Sequence, residues 1–492
     1  MIRRLLVANR GEIAVRVART AREMGIETVA VFSEADAGAY HVGQMDRAVG
    51  LGAGSPRETY LSVPRLVEAA RSSGADAVHP GYGFLSENAA FARAVSEAGC
   101  VWVGAPPRAI EEMGDKVRAR DRMRAAGVPV VPGSDTAART DSELAAEAGR
   151  VGFPLLVKAS AGGGGKGMSR VDRPEDLQAA LAEGRRLALG AFGDETVYLE
   201  RLLERPHHIE YQIFGDDAGH VTHLFERECS VQRRHQKIVE ETPSPALDAP
   251  LRSRMAEAAV EAGRAIGYVG AGTVELLLDE KRNFYFLEMN TRLQVEHPIT
   301  EATLGVDLVR AQIEIASGAR LPDAFARLQP RGHAIELRLY AEDPVTFLPR
   351  SGEVLEWIEP SGPGVRVDSG VARGSRVGVE FDPLLAKLVI SAADRRAAID
   401  RAKRAIADWV VLGVETNRRL LLSVLESEEF VAGKYTTDLV ARIPKLEPPE
   451  PAAAAWIAAA RLLERPAGSA KSSAASGGGD PWDSADGWRA GA

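Results

Sequence analysis

The chain is 492 residues long, 45% hydrophobic and 26% charged, an ordinary balance for a soluble globular protein with room for about three domains of ~150 residues. Its net charge of −8 and pI near 5.8 argue against nucleic acid as the main partner, because neutralising phosphates takes a basic face. With only Cys100 and Cys229 it carries neither a disulfide framework nor a zinc pattern, which suits a reducing cytoplasm, and no run of eighteen apolar residues is present to span a membrane.

The opening MIRRLLVANRGE has an apolar stretch of four residues ending at Asn9, too short for a signal peptide, and no basic, Ser-rich leader precedes it. Residues 4–8 read as a strand, 11–24 as a helix and 27–32 as a strand, a βαβ unit that begins a parallel α/β sheet. Its turn, ANRGEIA, has one glycine, so the G-x-G-x-x-G fingerprint is missing and a nicotinamide cofactor is not expected. A strand at 77–79 runs into HPGYGFLSEN, where Pro80, Gly81 and Gly83 force a tight loop at a strand end, the place where open α/β sheets bind ligands. A strand at 100–103 and a turn at 104–107 finish this first domain near residue 110.

Gly114-Asp115-Lys116 then heads a helix, closed by the Pro/Gly-rich connector GVPVVPGS. Residues 153–160 read as a strand, AGGGGKG as a loop and MSRV as the next strand. The loop is no Walker A motif, since Ser160 and Gly167 stand where that motif needs Gly and Ser or Thr. Four consecutive glycines with Lys158 beneath and Lys166 at the tip read as a hairpin whose N–H groups close over phosphate oxygens. A helix at 174–189 leads to a strand over 196–204 bearing Glu200, suited to an adenine or ribose edge. Residues 207–216 and 220–228 read as two alternating strands around a Gly-Asp turn. The basic run holding Gln232, Arg233, Arg234, His235 and Lys237, in an otherwise acidic chain, reads as an anion site. A helix follows at 251–266.

The stretch that organises the rest is EMNTRLQVEHP, residues 288–298. It continues the apolar run 283–287, while GTVELLL upstream places Glu275 on a neighbouring antiparallel strand. Such a hairpin brings Glu275 and Glu288 side by side, and a close carboxylate pair calls for a cation such as Mg²⁺ to keep both ionised. Asn290, Arg292 and Glu296 add an oxygen ligand, an anion clamp and a base. Beyond it, 304–316 reads as one helix, 333–344 as a strand exposing Glu336 and Arg338 on one face, 352–390 as antiparallel strands, and 397–409 and 416–425 as helices. The compact part ends near 445, and the Ser-, Gly- and Ala-rich remainder reads as a linker.

Taken together, VANRGEIA, HPGYGFLSEN, GDK, KASAGGGGKGM, ERECSVQRRHQK, EMNTRLQVEHP and the Arg338 strand, in this order and spacing, resemble biotin carboxylase, an ATP-grasp enzyme, over about residues 1–445. The resemblance implies an α/β and α+β fold. It comprises a Rossmann-like N-terminal domain (1–113), a linker and ATP-grasp lid with the glycine-rich loop (114–204), an ATP-grasp core with a C-terminal mixed antiparallel sheet domain (205–446), and a flexible tail (447–492). Carried over residue by residue, it implies ATP contacts from Lys116, Lys158, Gly163, Gly164, Gly165, Lys166, Glu200, Leu203, His208, Gln232 and His235. Mg²⁺ or Mn²⁺ would be held by Glu275, Glu288 and Asn290, and bicarbonate by Lys237, Arg292, Gln294 and the Val295 backbone. Glu296 would be the general base, with Tyr82 and Arg338 facing biotin. The activity implied is ATP-dependent carboxylation of biotin through carboxyphosphate, the first half-reaction of an acyl-CoA carboxylase; the alternative is another ATP-grasp ligase of the carbamoyl-phosphate or amino-acid type.

The sequence departs from full-length acyl-CoA carboxylase α-subunits in having no Met-Lys-Met biotinylation site. The expected partners are therefore a biotin carboxyl carrier domain on another chain or in a missing C-terminal part, a carboxyltransferase subunit, and in some relatives a second copy of the chain. PWDSADGWRAG is similar to the segment leading out of the biotin carboxylase domain in methylcrotonyl-CoA-type α-subunits, which favours truncation or a split gene.

Overall fold

Two sheets position the cavity described below, and a third, small one stands beside it. The computed structural model describes residues 2–134, 140–160, 168–444 and 446, so the glycine loop and the tail expected from residue 447 lie outside the described residues. The first sheet is wholly parallel, with β1 (Arg4–Val7), β2 (Glu27–Phe32), β3 (Arg47–Gly50), β4 (Ala77–His79) and β5 (Val101–Trp102) in the order β3-β2-β1-β4-β5. Leu5, Leu6 and Val7 are fully buried, as expected of a parallel strand covered on both faces. Helix α1 (Gly11–Glu23) follows β1. The strand order reverses between β1 and β4, so their outgoing loops flank the crevice where ligands enter such sheets. Asn9 ties the two loops, donating to the carbonyls of Pro80 and Tyr82, both at 2.7 Å. Gly81 has φ 63°, and a Cβ there would stand 2.8 Å from the Asn9 side chain, so this join admits only glycine.

The small sheet is antiparallel, in the order β7-β6-β8, with β6 (Leu155–Ala159), β7 (Met168–Val171) and β8 (Val197–Arg201). Helix α2 (Lys116–Ala125) leads toward it, capped by the Asp115 carboxylate accepting from the Val117 and Arg118 N–H groups. The connector after α2 is pinned rather than loose: the Pro132 carbonyl accepts from Arg201 N–H, and Ser134 N–H donates to Leu199.

The third sheet has eight strands, antiparallel throughout. They are β9 (His207–Gly215), β10 (Val221–Arg233), β11 (Gln236–Thr242), β12 (Gly270–Leu278), β13 (Phe284–Asn290), β14 (His333–Tyr340), β15 (Val365–Ser369) and β16 (Leu384–Ala392). The order is β13-β12-β9-β10-β11-β14-β16-β15. In the β12–β13 hairpin Glu275 stands opposite Glu288, as the apolar runs on either side of the turn predicted.

Four expectations need correction. The strand starting near 220 does not stop at 228; it runs to Arg233, turns through Arg234 and His235 at φ 46° and 66°, and returns as β11. That strand, QKIVEET, hides from pattern reading because its charged side chains are buried against one another. Strands β9 and β10 do not alternate between core and solvent, since the helix Ala249–Ala265 packs on one side and α3 (His297–Leu304) against β10 and β14. The single helix expected over 304–316 is two: α3 ends at Gly305, φ 70°, and Asp307 caps a new helix, Leu308–Ala316, by accepting from Arg310 N–H. Finally, β14 exposes neither Glu336 (0%) nor Arg338 (7%); the two do share a face, but it is turned inward.

Candidate active site

A cavity of about 1250 Å³ lies between the β1 and β4 loops, the small sheet and the face of the large sheet. Its wall carries Tyr82, Lys116, Lys158, Glu200, Leu203, His208, Gln232, His235, Lys237, Glu275, Glu288, Asn290, Arg292, Gln294, Val295 and Arg338. These are all the site residues that the resemblance implies except five. Gly163, Gly164, Gly165 and Lys166 lie outside the described residues, and Glu296 sits beneath the wall, fully buried. Arg233, grouped with the basic run, turns away: it pairs with Glu342 and stacks over Tyr340 and Phe347. The members of that run that line the cavity are therefore Gln232, Arg234, His235 and Lys237.

The β9–β14 face supplies the chemistry at the foot of the cavity. The Lys237 ammonium lies among three carboxylates, pairing with Glu210, with Glu275 at 2.9 Å and with Glu296 at 2.7 Å. Glu296 accepts from Arg338 Nη2 on its other oxygen, at 2.9 Å. Burial alone would raise the Glu296 carboxyl, but Lys237, Arg338 and Arg227 together hold it well below the usual carboxylate range. Burial likewise works against Glu275, and Lys237 with His208, 2.8 Å away, overrides it to hold that carboxyl well down. Behind Arg338 the next acids go the other way: burial lifts Glu240 to about 7 against the pull of Arg338, and burial also pushes Glu336, its register partner, well up.

Around Glu275 the polar atoms are organised from one short segment. Glu275 Oε1 accepts from Asn290 Nδ2 at 2.9 Å and from Gln294 Nε2 at 3.0 Å. Arg292 donates to Asn290 Oδ1 at 2.8 Å, to Gln294 Oε1 at 3.0 Å and to Glu87 at 2.9 Å. Lys116 stands 3.5 Å from Glu288. On the small sheet Lys158 pairs with Glu200 at 2.6 Å, both buried, and this contact raises the lysine despite its burial.

The donor set near Glu275 and Glu288 fits a hard divalent ion. Two carboxylates in register and the Asn290 carbonyl offer only oxygen, and the positive charge beside them is here supplied by Lys237 and Lys116. In two other groupings of ligand atoms among the described residues, His208–Glu210–Glu275 and Glu210–Cys229–Glu296, the carboxylates are all paired with the Lys237 ammonium.

Sequence reading missed Glu210, Arg227, Glu87, Glu12 and Lys387. Glu210 had a signal: His208, Glu210 and Gln212 recur every second residue, one polar face on a strand otherwise rich in Ile, Tyr and Phe. Arg227, 0% exposed, donates to Glu210, Gln212, Thr273 and Thr300, a set of partners that only tertiary structure assembles.

Comparison with known proteins matches three family descriptions in sequence along the chain. They are Biotin carboxylase, N-terminal domain, over residues 1–110; Carbamoyl-phosphate synthase L chain, ATP binding domain, over 115–324; and Biotin carboxylase C-terminal domain, over 336–442. The chain is 49% identical over 440 residues to Biotin carboxylase of Halalkalibacterium halodurans, covering 89% of this chain and 97% of that one. It is 45% identical to the mitochondrial Methylcrotonoyl-CoA carboxylase subunit alpha of Rattus norvegicus, of which it spans 62% while 89% of this chain is covered. Among solved structures it resembles the biotin carboxylase domain dimer of Hydrogenobacter thermophilus 2-oxoglutarate carboxylase in complex with MgADP, ADP and bicarbonate. There the TM-score is 0.88 at 43% identity, over 92% of this chain and 100% of that one.

Proposed function

The chain belongs to the biotin carboxylase family, and from that premise we propose how its residues carry ATP-dependent carboxylation of biotin by bicarbonate. The observation that carries the reading is the buried Glu296 carboxylate, held between Lys237 and Arg338 at the foot of a cavity that also contains Glu275 and Glu288.

Bicarbonate is a weak nucleophile until its proton is removed beside cations that stabilise the resulting charge. Arg292, Gln294 and the Val295 backbone face the cavity where the anion would sit, with Lys237 beside them. Glu296 is ionised at working pH, and an anion arriving next to Lys237 draws that ammonium toward itself, which relaxes the depression of Glu296 and lets it accept the proton. An oxygen of the deprotonated anion then forms the bond to the γ-phosphorus of ATP as the bond to ADP breaks, giving carboxyphosphate. Lys116 and Lys158 neutralise the phosphate oxygens, with Lys158 exchanging its contact with Glu200 for the nucleotide. Glu275, Glu288 and Asn290 would hold a divalent ion, which would supply further charge neutralisation on those oxygens. Carboxyphosphate breaks down to CO₂ and phosphate; the phosphate takes the ureido N–H proton of biotin, Arg338 steadies the developing ureido oxygen charge, and the nitrogen captures CO₂. Residues 114–204, with the glycine loop, act as a lid that keeps water from the intermediate.

The segment matching a carbamoyl-phosphate synthase ATP-binding domain supports ATP-grasp chemistry in general, but Arg338 lies in the portion specific to biotin carboxylases. For partners, the reading takes a biotin carrier domain and a carboxyltransferase, as in the methylcrotonoyl-CoA carboxylase to which the rat relative belongs by name, with a second copy of the chain as in the Hydrogenobacter dimer. No helix of the described residues is long and apolar enough to cross a membrane; action in the cytoplasm is part of the same proposal. The test is ADP release by the purified chain with ATP, Mg²⁺, bicarbonate and free biotin. Release should require both bicarbonate and biotin; full-rate release without biotin would overturn the reading.

A further inference from the structure

The mechanism above leaves one buried ion pair beside the cavity without a task. Glu12, in the first turn of α1, is 3% exposed and Lys387, on β16, is 0% exposed. One Glu12 oxygen accepts from the Tyr82 hydroxyl and the other stands 3.1 Å from the Lys387 ammonium. Lys387 also donates to the Val295 carbonyl at 2.9 Å. In the strand register it sits opposite Arg338 on one side and Asp368 on the other. A single carboxylate–ammonium contact therefore joins the β4 loop, the start of α1 and the peptide between Val295 and Glu296.

Burying a carboxyl and an ammonium away from water is unfavourable unless each finds partners. Here Glu12 has Tyr82 and Lys387, and Lys387 has Glu12, the Val295 carbonyl and Asp368 opposite it, while burial still lifts the Glu12 carboxyl to about 7 against the pull of Lys387. Removing Glu12 takes the acceptor from the Tyr82 phenol, removing Lys387 takes the donor from the peptide that leads into Glu296, and either change breaks the contact that couples the two. We propose that Glu12 and Lys387 form a positioning pair that sets Tyr82 and the Val295–Glu296 peptide at a fixed spacing to receive the biotin ureido ring. This inference rests on the biotin-carboxylating reading of the cavity. Neither residue touches substrate; they act through Tyr82 and Val295. The nucleotide side, with Lys116, Lys158 and Glu200, belongs to other elements, so nucleotide binding is not coupled to the pair.

The experiment is steady-state kinetics of the full chain with free biotin, comparing wild type with Glu12→Gln, Tyr82→Phe and the double variant, alongside nucleotide affinity for each. Wild-type ADP release that needs no biotin would defeat the underlying reading. With biotin dependence in place, Glu12→Gln is expected to raise KM for biotin roughly tenfold, with KM for ATP within about twofold of wild type, as for loss of one charge-assisted hydrogen bond. Tyr82→Phe removes only the hydroxyl that donates to Glu12, leaving the Glu12–Lys387 contact in place, and should do the same, and the double variant should be no worse than the more severe single one. An unchanged KM for biotin in Tyr82→Phe and Glu12→Gln, or strictly additive effects, would overturn the positioning role. Equal losses for ATP and biotin in Glu12→Gln would show a merely structural pair and overturn it as well.

Discussion

Arg338 Nη2 lies 2.9 Å from the Glu296 carboxylate that is already bonded to Lys237, and its own strand places it beside Glu240. One guanidinium thus spans an acid held ionised and an acid lifted to about 7. Replacing it with Gln withdraws a positive charge from both, so both carboxyls must move up. The expected outcome is an acid limb in kcat/KM for bicarbonate that shifts to higher pH by at least about one unit, while nucleotide affinity is kept. A pH profile identical to wild type would show that Arg338 does not govern the ionisation of the base.

Lys237 is the only cation that Glu210, Glu275 and Glu296 share among the described residues. Lys237→Met removes the counter-charge that three buried carboxylates share, leaving Glu210 to Arg227, Glu296 to Arg338 and Glu275 to His208, and breaking a buried pair costs about 3–5 kcal/mol. The melting temperature should fall markedly, and millimolar Mg²⁺ or Mn²⁺ should recover part of the loss, because the vacated space is lined by oxygen ligands. Thermal melts with and without the ions check this; equal melting of variant and wild type would contradict the electrostatic account.

His79, at the end of β4, is fully buried and neutral: its Nδ1 accepts from Gly81 N–H at 2.9 Å and its Nε2 faces Gln312 Oε1 at 3.2 Å. Burial lowers its pKa to about 4, against the opposing pull of Gln312. Because the unfolded imidazole titrates near 6.5, its stabilising contribution is complete above that pH and is lost as pH falls from about 6.5 toward 4. At pH 5 the loss is about 2 kcal/mol by linkage. The stability difference between wild type and His79→Gln should therefore shrink between pH 7 and pH 5; a constant difference would mean that His79 titrates normally in the folded chain.

Much of the site was legible because its residues cluster in one short stretch next to an apolar hairpin. The opposition of Glu275 and Glu288 follows from two apolar runs and a four-residue turn, and the structure has that register. The βαβ opening was equally plain, since Leu5, Leu6 and Val7 form an unbroken apolar core strand. What stayed hidden was buried polarity. Strand β11 carries Lys237, Glu240 and Glu241, all facing partners from other strands or helices, and no period-two pattern marks a strand whose charged groups lie inside. Glu12 and Lys387 are 375 positions apart in the numbering, so their pairing exists only in the folded chain. The break at Gly305 was masked by an apolar pattern that continues across it.

The central claim is that Glu296, held ionised between Lys237 and Arg338, takes the bicarbonate proton. Glu296→Gln keeps the shape and removes the base, so the measurement is bicarbonate- and biotin-dependent ADP release by this variant, with nucleotide binding followed in parallel. The account predicts that turnover falls roughly 10²–10⁴-fold while nucleotide still binds. Turnover at the wild-type rate would show that another group takes the proton and would contradict it.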